Sequence, residues 1–175
     1  MKQYKRNIKV PKEWDRNGLP GWCYKSPSLL NLEIDNVFLN HWQIICHVSD
    51  VKDRGDFITF DFCNERVLVL RDQQNKVQAF NNVCRHRGSR VIADEKGKCK
   101  ALVCPFHGWV YNLDGSLRGP SKPSSFPKMD KRKFGLTKLE LEIWNGLVFV
   151  RFQKGPQPSI QKLMEPFSKE ISYYK

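Results

Sequence analysis

Two short stretches, Cys84-Arg85-His86 and Cys104-Pro105-Phe106-His107, constrain this chain more than anything else in it. Each couples one thiol to one imidazole, and 17 residues separate the pairs. Thiolate and imidazole donors suit iron or zinc. A zinc finger usually keeps its sulfurs in one pair and its histidines in the other. Here each pair offers one of each. That pattern suits a diiron cluster with both sulfurs on one iron and both imidazoles on the other, each loop supplying one ligand to each metal. Gly88 and Gly108 let the backbone come close to the cluster sulfides, and amides there are expected to donate hydrogen bonds to them. A single structural zinc ion held by the same four side chains is the competing reading.

Around these loops the pattern is mainly β. Residues 1–28 are rich in charge, Gly and Pro and read as an extended arm. Ser28–Trp42 places Leu29, Leu32, Val37, Phe38 and Trp42 at helical spacing, which predicts an amphipathic helix. Short runs rich in Val, Ile and Phe follow at Gln43–Val48, Phe57–Phe62, Val67–Arg71 and Val77–Phe80, and the last two form a hairpin across Asp72–Asn75. Leu139–Trp144 and Leu147–Phe152 are joined by Asn145-Gly146, a pair that favours a turn with positive φ at both residues. Asp114-Gly115 offers a second such turn, between Trp109–Leu113 and Ser116–Arg118. Pro120–Pro127 cannot sit in a central strand. Ile160–Phe167 reads as helical. The division expected is an arm and helix over 1–42, a β domain over 43–155 with site loops at about 82–93 and 103–112, and a linker or new element over 156–175.

Charge and composition exclude other classes. Thirty Lys and Arg against 18 Asp and Glu give +12, which invites a nucleic-acid reading. The lysines run from Lys2 to Lys175 without gathering on one arm, however, and no nucleic-acid-binding motif appears. The charge reads first as a solvated basic surface or a compositional bias toward Lys, second as a face for an acidic redox partner steered by charge, and only third as a nucleic-acid site. No apolar stretch is long enough to span a membrane, and the first 22 residues contain no apolar core of a secretory signal. Six cysteines in such a chain point to reduced thiols or metal ligands in the cytoplasm.

The motifs CRHRG and CPFHGW resemble the two halves of the Rieske [2Fe–2S] signature. The resemblance implies that Cys84 and Cys104 hold the inner ferric ion. It implies that His86 and His107 hold the outer, redox-active iron. The fold implied is an antiparallel β sandwich or barrel with a small cluster-binding subdomain, preceded by the N-terminal helix. Respiratory Rieske proteins brace the two loops with a disulfide; the corresponding positions here are Ser89 and Phe106, so the brace cannot form. Their serine after the second His-Gly is Trp109, while the tyrosine two positions on remains as Tyr111. With fewer hydrogen bonds to sulfur, the potential is expected toward the low end of a range of roughly −150 to +300 mV. Trp109 is expected to shield the site, and Phe80 and Trp144 to be core. Arg85, Arg87 and Arg90 are candidates for charge balance or docking, and Cys23, Cys46, Cys63 and Cys99 read as ordinary thiols, with Cys99 near the loops.

LPGWCY, NHWQ, GDFITF, VLVLRD and HGWVYNLDGSL extend the resemblance to Rieske non-haem iron oxygenase α subunits, from about Leu19 to Phe152. Membership implies a ferredoxin or flavin reductase as electron donor. The acceptor implied is a mononuclear iron in a catalytic domain that hydroxylates with O2, and a full-length α subunit would be a ring-shaped homotrimer. That iron needs two histidines and a carboxylate. His41 and His47 are six apart, share no helix face, and would stand about 20 Å apart on a strand. The mononuclear iron is therefore expected only if a catalytic domain follows residue 175. A free-standing Rieske electron carrier is the alternative. The substrate is left open between aromatic acids and quaternary amines such as choline or betaine.

Overall fold

The computed structural model describes residues 18–153, 155–171 and 173; most of the arm expected over 1–28 lies outside them. Its strands are β1 (Gln43–His47), β2 (Asp56–Phe62), β3 (Glu65–Arg71), β4 (Val77–Asn81), β5 (Lys96–Lys98), β6 (Leu102–Val103), β7 (Val110–Tyr111), β8 (Leu117–Gly119), β9 (Glu140–Trp144) and β10 (Leu147–Arg151). They make three sheets ordered β4-β3-β2-β5, β1-β10-β9 and β6-β7-β8. All pairings are antiparallel.

Strand β3 explains the layering. Successive side chains of a strand point to opposite faces, and in β3 both faces are buried. Leu68 and Leu70 enter one core with Phe57, Phe80, Leu102, Trp109 and Tyr111, which joins the large sheet to β6-β7-β8. Val67 and Val69 enter a second core with Cys46, Val148 and Val150, which joins it to β1-β10-β9. An unbroken apolar run is what a strand covered on both sides requires. Strand β10 repeats the device. Val148 and Val150 face the second core, while Phe149 faces a third core with Trp144 and Ile160. Phe80 and Trp144 are core, as expected.

The N-terminal helix is shorter than the pattern over Ser28–Trp42 predicts. Helix α1 covers Pro27–Glu33, with the Ser26 hydroxyl accepting the Leu29 N–H, and passes into a wider π turn over Ile34–Phe38. There the Leu39 N–H reaches the Ile34 carbonyl, while Asn36 and Asn40 side chains donate to the Leu32 and Asp35 carbonyls. These side chains satisfy carbonyls that a continuing helix would use, so the helix ends before Trp42. Past β10, the helix expected over Ile160–Phe167 is α2 (Ile160–Met164) followed by a 3-10 turn at Glu165–Phe167, and α3 (Ser168–Ile171) comes after it. Pro166 lacks the N–H that would carry α2 onward.

The turns divide likewise. Asn145 and Gly146 take φ of +49° and +80°, as their identities predict. At Asp114-Gly115 only Gly115 is left-handed, at +83°, because the Asp114 carboxylate accepts the Ser116 N–H and hydroxyl and closes the turn from the side chain. A register shift between Val110 and Tyr111 accompanies it. Strands β2 and β3 are joined by Cys63 and Asn64, at +49° and +68°. Two left-handed residues without a glycine cost roughly 1 kcal/mol each. Replacing the pair with Cys63→Asn and Asn64→Gly is expected to raise stability by about 1 kcal/mol, read as a higher urea midpoint at unchanged slope. An unchanged midpoint would mean that side-chain contacts already offset the strain.

Candidate metal centre

Each Cys-His pair lies on a loop closed by the same two hydrogen bonds. Gly88 N–H donates to the Cys84 carbonyl and Gly108 N–H to the Cys104 carbonyl, both at 2.9 Å. Cys84 N–H donates to the Ser89 carbonyl at 2.8 Å, and Cys104 N–H to the Trp109 carbonyl at 2.9 Å. The chain reverses within five residues, which needs the left-handed φ of Gly88 (+73°) and Gly108 (+64°). The amides of the two glycines are spent on closing their own loops.

Both loops turn their sulfurs inward and their imidazoles to the rim. Cys84 and Cys104 are each 2% exposed and belong to the same core. His86 and His107 are half-buried, with ring centroids 4.8 Å apart and planes at 66°. Trp109, 2% exposed, lies flat against His86 at 4.8 Å and 7°. Phe126 meets both rings edge-on, and Phe134 meets Trp109 in the same way. Trp109 therefore shields one face of the site as expected. Outside it, Phe106 is exposed with its ring 3.9 Å from that of His107.

The electrostatics follow this division. Burial pushes the Cys84 thiol pKa up, and the Tyr111 hydroxyl pulls it back in part. Tyr111 Oη lies 3.2 Å from Cys84 Sγ and accepts the Arg85 N–H at 3.0 Å. Either the thiol or the phenol can donate across that contact; to a metal-bound thiolate, which carries no proton, the phenol is the donor. Burial also raises the Tyr111 phenol well above its usual range, so it stays protonated and able to donate. His86 is held below the ordinary imidazole pKa by burial, then by the neighbouring His107 and Arg87. A neutral ring keeps the lone pair that a metal would take.

The four residues singled out by spacing, Cys84, His86, Cys104 and His107, thus come together on two facing loops. Arg85 and Arg87 are exposed beside His86, whereas Arg90 is tied to Asp61. Cys99 packs at the margin of the core beneath the site. Cys46 is remote from the loops, in the second core, its pKa pushed up to about 12 by burial and then by Asp50. His41 and His47 bind locally, to the Val37 carbonyl and the Ser49 hydroxyl.

Two supports escaped sequence reasoning. The Asn82 side chain, fully buried, accepts the Val91 and Ile92 N–H groups and donates to the Ile92 carbonyl at 2.7 Å. It clamps the two ends of the first loop together across nine residues. The Ser121 hydroxyl donates to the His107 carbonyl at 2.7 Å, which brings the proline-rich segment and Phe126 over the second loop. A buried Asn two residues before the first Cys was a signal of sorts, but nothing in the sequence says what it faces. Asn82→Ala leaves two N–H groups and a carbonyl without partners and is expected to cost about 2–3 kcal/mol. Amide exchange at Val91 and Ile92 should rise more than in β9; uniform protection loss would mean that Asn82 is only a core residue.

The Rieske [2Fe-2S] domain family matches residues 41–134. Choline monooxygenase, chloroplastic, of Amaranthus tricolor is 38% identical over 146 residues, covering 83% of this chain and 32% of its own length. The glycine betaine monooxygenase oxygenase subunit of Pseudomonas aeruginosa is 33% identical over 160 residues, covering 87% and 37%. Among solved structures, the quaternary ammonium Rieske monooxygenase CntA with L-carnitine superposes with a TM-score of 0.79 at 26% identity, covering 86% of this chain and 43% of the other. The chain spans about a third of the length of these curated relatives. No helix among the described residues is long and apolar enough to cross a membrane. By the matched domain and by these relatives, the chain belongs to the Rieske [2Fe–2S] domain family, in company with oxygenase α subunits.

Proposed function

We propose that Cys84, His86, Cys104 and His107 hold a [2Fe–2S] cluster, and that the chain carries electrons through it as the Rieske part of an oxygenase α subunit. The observation that carries this reading is the sorting of the donors. Two cysteines are buried in one core and two imidazoles lie at the rim with their rings 4.8 Å apart, which fits one iron bound by sulfur and one by nitrogen. No three His, Cys, Asp or Glu side chains among the described residues are grouped to hold one ion.

Bound there, the cluster supplies a one-electron store, one iron passing between ferric and ferrous. The chain's residues govern how it is used. Trp109 and Phe126 exclude water from the His86 side, and a drier surround favours the less charged oxidised state. Tyr111 opposes this by donating to the Cys84 sulfur, where reduction adds charge. The half-exposed rings of His86 and His107 are the edge at which an electron enters or leaves.

In the whole protein, the donor under this reading is a ferredoxin or flavin reductase. The acceptor is a mononuclear non-haem iron in a catalytic domain that uses O2 for hydroxylation, in an α subunit assembled as a homotrimer. The monooxygenase names of the relatives support it, and two of those names make a methylated ammonium compound the first substrate class to test. Residues 1–42 would be arm and helix, 43–155 the cluster domain and 156–175 a linker. The compartment is the cytoplasm; six cysteines without a disulfide support a reducing one. A free-standing electron carrier is the second reading, since the cluster alone would serve it equally.

Produced with iron and sulfide available, the chain should contain two iron and two acid-labile sulfide and bleach with dithionite. Cys84→Ser or His107→Ala should abolish the colour. A colourless protein with one zinc and no sulfide would overturn the assignment. The potential is expected toward the low end of roughly −150 to +300 mV, because Tyr111 stands without the serine hydroxyl. Tyr111→Phe removes a hydrogen bond to a charged group, about 1.5 kcal/mol, and should lower the potential by about 60 mV. A wild-type value above about +200 mV would contradict this account of the sulfur environment.

A further inference from the structure

Strand β5 covers only part of the outer edge of β2. Their pairing ends at Ile58 with Lys96, after which the Thr59 N–H donates to the Glu95 carbonyl and the Thr59 hydroxyl to the Asp94 carbonyl. Alternate residues of an antiparallel strand turn their backbone groups to the same edge, so the Asp61 N–H and carbonyl face the same way as those of Thr59. Neither has a hydrogen-bond partner there among the described residues. An open trough runs along this stretch. Ile58, Phe60, Glu95 and Lys96 line one part, of about 590 Å³, and Glu65 and Arg66 line the other, of about 360 Å³. Asp61 and Arg90 belong to both parts.

The trough is aromatic on one side and balanced in charge. Ile58, Phe60 and Phe62 share one side of β2. The Phe62 ring stacks on Phe152 at 5.7 Å and beside Phe60 at 6.2 Å, with Phe38 edge-on at 5.9 Å. This row of rings ends at Phe60, which is 42% exposed. Around it stand the acids Asp61, Glu65 and Glu95 and the bases Arg66, Arg90 and Lys96. A chain of net charge +12 repels its own copies over most of its surface, and here acids and bases are equal in number. We propose that the open edge of β2 pairs antiparallel with the same edge of a second copy of this chain, about a two-fold axis at Asp61.

The pleat sets the register. The two Asp61 residues exchange both of their N–H···O bonds, and Phe60 lies opposite the partner's Phe62 in the closer kind of pair, with Cα atoms about 4.5 Å apart. Cross-strand aromatic pairs are among those that stabilise a sheet. Each Asp61 carboxylate is held by its own Arg90 at 2.5 Å, so the like charges meet already neutralised. Past these residues, the Cys63-Asn64 tip of one copy comes up against the end of β5 in the other. Glu65 is registered with Phe62 and Lys96 with Ile58, so both stand on the aromatic side, and Lys96 faces the partner's Glu65. On the other side, Arg66 is registered with Asp61 and faces the partner's Glu95. Both ends of the trough are thus complementary in charge. The contact is the same patch on both copies and closes on itself, and β5 limits it to the three residues Phe60–Phe62, which keeps an open edge from pairing without end. Nothing in this pairing depends on the cluster.

The test is sedimentation velocity of the iron-loaded chain at about 0.15 M salt, where net repulsion is screened beyond about 8 Å. A contact this small should have a dissociation constant on the order of tens of micromolar, so the sedimentation coefficient should rise from monomer to dimer between about 2 and about 200 µM. Phe60→Lys puts a charge at the centre of the contact and should weaken association about tenfold or more. Ile143→Lys makes the same change in charge at a 47% exposed position on the edge strand β9 and should alter it less than about twofold. Lys96→Glu and Glu65→Lys should each weaken association about fivefold, and the two together should restore it to within about twofold of the wild type. Mutual rescue is a result that damage to the fold would not produce. A chain that stays monomeric at every concentration would overturn the pairing. So would a dimer that survives Phe60→Lys, or one lost equally with Ile143→Lys. Single charge variants that weaken association without rescuing each other would refute the antiparallel register.

Discussion

Burial of the Cys84–Cys104 sulfur pair is the constraint on which the surrounding structure depends. Desolvation favours the neutral thiol and raises the Cys84 pKa, so an empty site is an apolar floor and a loaded one has exchanged protons for metal. The histidines, only two and three residues further on, must nevertheless reach the rim. A chain cannot pass from floor to rim and back in five residues along a strand, whose rise is about 3.3 Å per residue. Hence both loops fold back on their own cysteine carbonyls through a left-handed glycine. Each loop then needs a rigid base. The second has β7, which contributes Tyr111 to the floor directly and follows immediately on Trp109. The first follows β4 and is closed by a single antiparallel bridge, Val83 with Arg90, which the Asn82 side chain reinforces by binding Val91 and Ile92.

How much of this could be read beforehand depends on how local each signal is. The Cys-His spacing survives translation into structure because each pair acts within a single tight loop. The β-branched runs became strands within a residue or two of the expected ends, and Asn145-Gly146 made its hairpin because both residues tolerate positive φ. What stayed hidden depends on partners distant in sequence. Strand β5 is Lys96-Gly97-Lys98, a sequence with no strand preference, and it exists because the open edge of β2 accepts it. Gly97 is favoured there because a Cβ would stand 2.9 Å from the Phe57 ring. The Cys63-Asn64 turn is imposed by the pairing of Phe62 with Glu65 across it. Phe126 reads as one aromatic in a proline-rich loop, and only the Ser121 bond to the second site loop reveals what it covers.

The layering also separates the site from the rest of the fold. The core beneath the cysteines and the core between the two larger sheets share β3 but use opposite sides of it, Leu68 and Leu70 against Val67 and Val69. Beyond the second core, the outward side of β10 carries Phe149 and Arg151. Arg151 is paired with Glu140 and lies 4.8 Å from the Trp42 ring, while the Trp42 indole N–H donates to the Pro158 carbonyl and Glu142 accepts the Ile160 N–H. Trp42, just past the N-terminal helix, and the segment leading into α2 are therefore bound to the same outer surface, two layers away from Cys84. Strain introduced there must cross two packed cores to move the sulfurs, and interfaces packed to this density resist small displacements. Such an arrangement lets the outer layer vary in what it carries while the geometry of the loops stays fixed. A single side-chain change on the cluster side of β3, by contrast, acts directly on the floor of the site.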